Sequence, residues 1–378
     1  MIYRDFKGEK LSGLGLGMMR LPVINGNDAA VDEKAAAEMI EYAYRHGINY
    51  FDTAWGYHSG ASELVAGKYL HGYPRDSFCL ATKFPGYDNS NMPKAREIFE
   101  KQLVKLQTDY FDFYLIHNVY EGNIDDYLDP EFGILEYFLE QKRLGRIRHL
   151  GFSCHGSSSV LKRFLDSAYG EHMEFCQLQL NYMDWHFQKC DEKVALCEER
   201  QLPVWVMEPL HGGKLCNEPD EMTGELRKMR PDETVTEWAF RFLQALPQVR
   251  MVLSGMSDME QLKANIDTWS VDKPLNREEF DRLVYLMDEE VKRGGLPCTA
   301  CHYCTSHCPK KLPIPELIAL YNEHKLAGGG FLAPMAVGSM EPSKRPANCI
   351  GCRSCEKVCP QQIKISEVMK DFSAMIGM

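Results

Sequence analysis

Eight short apolar runs, each followed by an amphipathic stretch, recur between residues 14 and 266 of this 378-residue chain. The runs fall at 14–20, 48–54, 78–84, 111–117, 149–153, 176–180, 204–207 and 249–253. Helical patterns follow at 32–46, 62–71, 93–106, 132–144, 158–168, 192–200, 232–243 and 258–266. Several open on a capping residue and close at glycine, as Asp32 and Gly47 do around the first. A strand returned by a helix to the next strand makes a parallel pair, so the repeat predicts a parallel sheet. Eight such units fit a closed (β/α)₈ TIM barrel better than an open sheet. Gly13-Leu14-Gly15-Leu16-Gly17 is glycine-rich but lacks the GxGxxG spacing. It runs into Met18-Met19-Arg20-Leu21-Pro22 rather than a helix, and reads as the first barrel strand.

The pattern changes near residue 275, which predicts a barrel over 1–275 and a small, mostly helical domain over 276–378. One helix covers 276–292 and breaks at Gly294-Gly295-Leu296-Pro297. An amphipathic segment at 315–326, a Gly- and Pro-rich stretch at 328–346 and a helical pattern at 366–375 follow. So little apolar sequence is expected to need bound metal to hold it together.

Of 14 cysteines, eight lie between Cys298 and Cys359. They form Cys298-x₂-Cys301-x₂-Cys304-x₃-Cys308-Pro309 and then Cys349-x₂-Cys352-x₂-Cys355-x₃-Cys359-Pro360. Soft thiolates suit iron–sulfur clusters, and structural zinc sites use two separated CxxC pairs instead. The doubled run resembles the bacterial two-cluster ferredoxin motif. That resemblance implies two [4Fe–4S] clusters, the fourth cysteine of each run crossing to the other cluster. One would be held by Cys298, Cys301, Cys304 and Cys359, the other by Cys349, Cys352, Cys355 and Cys308. The 40 residues between Cys308 and Cys349 are a longer spacer than a minimal ferredoxin has.

A second set of polar residues is distributed. Asp52 and Tyr57 lie in Phe51-Asp52-Thr53-Ala54-Trp55-Gly56-Tyr57, Lys83 ends Ala81-Thr82-Lys83, and His117 ends Tyr114-Leu115-Ile116-His117. Each stands at the C-terminal end of strand two, three or four, the face where barrel active sites sit. In this order the four residues resemble the tetrad of the aldo-keto reductase family, over roughly residues 1–270. The family implies nicotinamide-dependent reduction of a carbonyl, or the reverse oxidation of an alcohol. A phenol has a pKa near 10, and a nearby ammonium lowers it. Lys83 is expected to do this to Tyr57, the general acid, while Asp52 holds Lys83 charged and His117 orients the carbonyl oxygen.

The resemblance also implies nicotinamide contacts. Ser153 keeps half of the family's Ser-Asn pair, with Cys154 in place of the Asn. Gln177 matches the amide-binding Gln of strand six. Met207 stands where many members stack a Tyr, followed by Pro209 and Leu210; a thioether can still pack on a ring. Gly255, Ser257, Gln261 and Asn265 follow strand eight. No basic residue stands beside Gln261, so NAD and NADP both remain open. No motif indicates a flavin, although one is compatible with the reading. His58 and Trp55 flank Tyr57 as mouth or packing residues, His155 and the Cys190/Cys197 pair read as structural, and Asp125-Asp126 reads as solvated loop.

Taken together, the halves resemble aldo-keto reductases with a C-terminal two-cluster domain. The expectation is an oxidoreductase acting on a small carbonyl or alcohol, with clusters relaying electrons to or from a partner protein. The alternative is a redox-sensing or binding module whose nicotinamide stays bound. The 43 Lys and Arg against 54 Asp and Glu, net −11, argue against nucleic-acid binding. No apolar stretch is long enough to span a membrane. The charged first residues lack a signal-peptide core, so a cytoplasmic location is expected.

Overall fold

A computed structural model describes residues 1–217, 219–296, 298, 302–359 and 361–378. It divides the chain into two compact units, Met1–Val284 and Tyr285–Met378. The division falls within the helix Arg277–Gly294, whereas the change of pattern in the sequence lies at 275.

The first unit opens with an antiparallel hairpin, β1 (Tyr3–Phe6) and β2 (Glu9–Ser12). A closed parallel barrel follows: β3 (Leu14–Gly17), β4 (Tyr50–Asp52), β5 (Cys79–Phe84), β6 (Phe111–Val119), β7 (Ile147–Cys154), β8 (Cys176–Gln179), β9 (Val204–Met207) and β10 (Val249–Ser254). Each strand pairs with its sequence neighbour, and β10 closes on β3 through Val252–Leu14 and Ser254–Leu16. All eight expected strands are present, and the glycine-rich run is indeed a strand, with β3 buried along its whole length.

The hairpin was not expected. It delivers Phe6 into an apolar cluster inside the barrel, with ring centroids 4.9 Å from Trp205 and 5.7 Å from Phe113. Burial of one Phe stabilises by about 2–3 kcal/mol. Asp32 caps the helix Glu33–Arg45 by accepting from Ala35 N–H, and Thr234 and Glu237 form a reciprocal capping box on Val235–Gln244. A helix at Asp220–Met229 was also not expected. Asp125 and Asp126 lie in the first turn of the short helix Ile124–Leu128 rather than a loop, because a helix N-terminus favours carboxylates.

The second unit carries the helices Ile314–Leu326, Leu332–Ser339 and Ile365–Met375. Ile314, Leu317, Ile318 and Tyr321 recur at helical spacing, as do Ile365, Val368, Met369 and Phe372, and all are buried in one core. The unit therefore has an apolar core of its own, more than its composition suggested. Cys304 and Cys355 are buried in that core, with Cys298, Cys308, Cys349 and Cys359 packed against it. Among the described residues no helix is long and apolar enough to cross a membrane.

Candidate active site and cysteine cradle

Parallel register sets the first site. Asp52 ends β4 opposite Ala81 of β5, and Lys83, two residues on, pairs with Leu115 of β6. Lys83 is fully buried, and an unpaired ammonium there would be costly. Its Nζ donates to Asp52 Oδ1 at 2.6 Å and to Thr53 O at 2.8 Å, and the Tyr57 side chain is a further hydrogen-bond partner. Its own carbonyl accepts from Gln102 Nε2 at 3.0 Å, which ties the lysine to the helix Ala95–Leu106.

Tyr57 opens the turn after β4, and Lys83 Nζ lies 4.9 Å from its ring centroid. The His117 ring stands edge-on to Tyr57 at 6.1 Å and to Tyr87 at 5.3 Å. A Cβ at Gly56 would fall 2.3 Å from the Tyr87 hydroxyl, so glycine at 56 lets Tyr87 close against this turn. The four expected residues thus meet at one end of the barrel.

Their electrostatics only partly follow the expectation. Burial pushes the Asp52 carboxyl up, with Lys83 pulling against it. Burial works against the Lys83 ammonium too, but Asp52 and Tyr57 outweigh it and Lys83 stays charged. Lys83 does pull the Tyr57 phenol down, yet burial outweighs it, and the phenol lies above its ordinary value of 10. Burial, reinforced by Lys83 and His155, holds His117 well below its ordinary range, so the imidazole is neutral. His117 Nδ1 and Asp52 Oδ2 are buried with no hydrogen-bond partner.

A cleft of about 1070 Å³ opens beside this group. Asp52, Tyr57 and Gln177 line it, as do Met207, Pro209 and Leu210 beyond β9 and Gly255, Ser257, Gln261 and Asn265 beyond β10. Ser153 does not line it; its Oγ accepts from the Asn118 N–H at 2.7 Å. Gln177 Oε1 is buried without a partner beside the cleft, a donor's place left open. Gln261 Oε1 accepts from Ser257 N–H at 2.9 Å, and Asn265 Nδ2 donates to Ser254 Oγ at 3.2 Å. His58 does not face the cleft: Nε2 accepts from Leu21 N–H at 3.0 Å and Nδ1 donates to Asp28 O at 2.9 Å. Trp55 packs under Lys105, with Nζ 3.9 Å from its ring.

Two features of the cleft have no signal in the sequence. Arg20, past β3, pairs with Glu208, past β9, at 3.5 Å, and both line the cleft. Behind the same loop Asp184 is fully buried. Its Oδ2 accepts from Asn181 Nδ2 at 2.7 Å, Gln179 Nε2 at 2.9 Å and His211 Nδ1 at 3.0 Å. Burial alone would raise the Asp184 carboxyl, but these donors, His211 foremost, hold it below its ordinary value. Glu208 and His211 both have positive φ, 54° and 44°. Such conformations are strained for residues other than glycine. The buried pair thus fixes the strained turn that supplies Glu208, Pro209 and Leu210 to the cleft wall.

The second site lies in the cysteine-rich unit. Cys308, Cys349, Cys352 and Cys355, the set expected to hold one cluster, line a single cavity with Ile350 and Arg353. Cys308 has therefore joined the second run of cysteines, although 40 residues separate it from Cys349. Cys308 Sγ already accepts from the Leu312 N–H at 3.5 Å. Burial pushes the Cys355 thiol up to about 11, because apolar surroundings disfavour the thiolate. The donor set is all thiol, which fits an iron–sulfur cluster. In the other set Cys298, Cys304 and Cys359 share the same apolar core, and Cys301 lies outside the described residues. No described cysteine is in a disulfide. No group of three His, Cys, Asp or Glu among the described residues is arranged to hold a single metal ion.

Residues 13–287 match the model of the Aldo/keto reductase family, and residues 297–364 match a 4Fe-4S dicluster domain. A Bacillus subtilis protein named "Uncharacterized oxidoreductase YqkF" is 28% identical over 303 residues, covering 72% of this chain and 92% of that protein. The "NADH-specific methylglyoxal reductase" of Escherichia coli is 28% identical over 225 residues, 54% of this chain and 65% of that protein. Among solved structures, the holo form of the aldo-keto reductase AKR11C1 from Bacillus halodurans superposes with a TM-score of 0.62. It is 28% identical, and the match covers 76% of this chain and 96% of that one.

Proposed function

From the premise that the chain belongs to the aldo/keto reductase family and carries a C-terminal 4Fe-4S dicluster domain, we propose that its barrel reduces a small carbonyl compound, or oxidises the matching alcohol, with Tyr57 as the proton donor. The observation that carries this reading is the buried Lys83–Asp52 pair beneath Tyr57 at the wall of the large cleft. A nicotinamide held in the cleft would bring hydride chemistry to the carbonyl carbon. Tyr57 Oη gives its proton to the carbonyl oxygen as the C=O π bond breaks. The phenolate left behind sits beside the Lys83 ammonium, which stabilises it most when that charge is fullest. Asp52 keeps Lys83 charged. The neutral His117 ring, packed against both Tyr57 and Tyr87, bounds the space left for the carbonyl group.

Gln177, with its unpartnered Oε1, would accept from the nicotinamide carboxamide, and Met207, which lines the same cleft, would pack on the ring. The remaining cleft residues past β9 and β10 would hold the rest of the dinucleotide. Among the described residues six carboxylates line the cleft, those of Asp52, Glu208, Glu237, Asp258, Glu260 and Asp267. The two cations among the described lining residues are engaged: Arg20 with Glu208, and Arg241 with the carbonyls of Thr268 and Val271. An extra phosphate would meet carboxylates without a spare cation, so NAD is the better-suited nicotinamide. The Escherichia coli relative carries NADH in its name.

In the second unit Cys308, Cys349, Cys352 and Cys355 would hold one [4Fe–4S] cluster, and Cys298, Cys301, Cys304 and Cys359 the other. Clusters bound there would supply one-electron transfer, to or from a partner protein. Tyr57→Phe tests the catalytic assignment. It should lower carbonyl turnover by about 10²–10⁴-fold while nicotinamide binding stays within about twofold. Unchanged turnover would remove Tyr57 from the mechanism. Iron and acid-labile sulfide content, with electron paramagnetic resonance of the reduced protein, tests the clusters.

A further inference from the structure

The cavity formed by Cys308, Cys349, Cys352 and Cys355 is not closed over. Cys352 is exposed, and so are the residues on both sides of it: Ile350, at 60% of its full surface, and Arg353. Lys310 lines the same cavity from the opposite run of cysteines and is also exposed. Lys311 follows it at the surface, and its carbonyl accepts from Lys344 Nζ at 3.0 Å, which brings a third lysine to this rim. No Asp or Glu among the described residues lines the cavity. Glu356, the nearest acid in sequence, is turned to Ser366, accepting from its N–H at 2.9 Å and from its hydroxyl. Arg353 reaches Glu367 only at 3.9 Å, with both side chains largely exposed.

This local excess of positive charge runs against the character of the chain. Residues 298–359 carry seven Lys and Arg against four Asp and Glu, in a protein with a net charge of −11. An apolar side chain exposed among cations, beside an exposed cluster-ligand position, has the composition of a transient docking patch. Weak electron-transfer encounters bury less than about 1,200 Å² and depend on charge complementarity for orientation and rate. We propose that the face formed by Lys310, Lys311, Ile350, Cys352 and Arg353 docks an acidic one-electron carrier protein. The proposal rests on the cluster reading above and names the partner class that it requires. The carrier's carboxylates would meet Lys310 and Arg353 around a central contact with Ile350. Such a complex forms quickly and dissociates readily, and salt weakens it, because the exposed charges are screened within a Debye length of about 8 Å at physiological ionic strength.

The test is calorimetric titration of the anaerobically purified full chain with a flavodoxin, an acidic one-electron carrier. Cytochrome c, a basic one, serves as the opposite probe. Flavodoxin should bind with micromolar affinity in about 50 mM salt and about tenfold more weakly in about 300 mM salt. Lys310→Glu/Arg353→Glu should weaken it at least tenfold, and Ile350→Ser several-fold, while cytochrome c should not bind the unaltered chain. Equal flavodoxin affinity for the unaltered and charge-reversed chains would overturn the proposal. So would salt-independent binding, absence of flavodoxin binding, or a preference for cytochrome c. The salt series on the unaltered protein decides the matter even if a charge-reversed chain fails to fold. Iron and sulfide assayed in the same preparation test the cluster reading separately. A cluster-free chain that still bound flavodoxin through Lys310 and Arg353 would overturn that reading and leave the docking face standing.

Discussion

Lys83→Met separates the structural from the catalytic work of the buried pair. In the native chain Lys83 is fully buried and Asp52 is 3% exposed, so neither charge has water to fall back on. Removing the ammonium leaves the Asp52 carboxylate with no donor to Oδ1, and Oδ2 has none already. Breaking a buried pair in this way costs about 3–5 kcal/mol. For a unit of this size that corresponds to a melting temperature lower by roughly 10 °C. The cost depends on pH in a definite direction. With Lys83 gone, burial acts alone on Asp52, and its folded pKa rises further above the unfolded value of about 3.9. Below that value the carboxyl is protonated in both states and the cost is absent; it grows as the pH rises through the folded pKa. Asp52→Asn/Lys83→Met removes the orphan charge and should recover at least about 2 kcal/mol of the loss at about pH 8. Urea titrations of the three chains at about pH 4 and pH 8 read the stabilities, and carbonyl turnover is measured beside them. Activity should be lost in both variants, because Tyr57 has lost its neighbouring cation in each. Equal stability of the native and Lys83→Met chains at about pH 8 would refute the argument, as would a double variant no more stable than the single one.

Two other perturbations address the cleft. Asp184→Asn and His211→Asn loosen the strained turn at Glu208 and His211, and each should weaken nicotinamide binding about tenfold with little change in kcat; protein fluorescence titration measures the affinity, and native-like affinity in both variants would show that the turn holds itself. NADH should be preferred over NADPH by at least about tenfold in kcat/KM, and Gln261→Arg, which adds a cation beside Asp258, should narrow that gap; a native preference for NADPH would contradict the charge argument.

The barrel was legible because its evidence is periodic and local. Eight runs with helical returns specify a parallel closed sheet whatever the loops contain, and the strand ends then place Asp52, Lys83 and His117 on one rim. The resemblance of the doubled cysteine run to the two-cluster ferredoxin motif likewise implied that Cys308 would group with Cys349, Cys352 and Cys355, and the four line one cavity. The hairpin was not legible, since its two four-residue strands carry mostly polar side chains and are anchored by distant contacts, Phe6 against Trp205, Phe113 and Phe175 with Leu11 in the same cluster. Nor were the Arg20–Glu208 and Asp184–His211 pairs, whose partners stand 188 and 27 residues apart with no local pattern linking them.

The tetrad shows where such a reading stops even when every residue is identified. Order and spacing name the neighbours of Tyr57 and so fix the direction in which each charge acts: Lys83 lowers the phenol pKa and Asp52 raises it. They carry no information about how much water the fold removes. Here that removal is the larger effect, and it reverses the net shift expected from Lys83 alone. It also makes the pair important, because a phenolate formed at this half-buried position has the Lys83 ammonium beside it to stabilise it. The same burial that raises the phenol in the resting protein therefore strengthens the contact that matters once the proton has left. Loss of Lys83 should accordingly harm the transition state more than it harms substrate binding, appearing in kcat rather than KM.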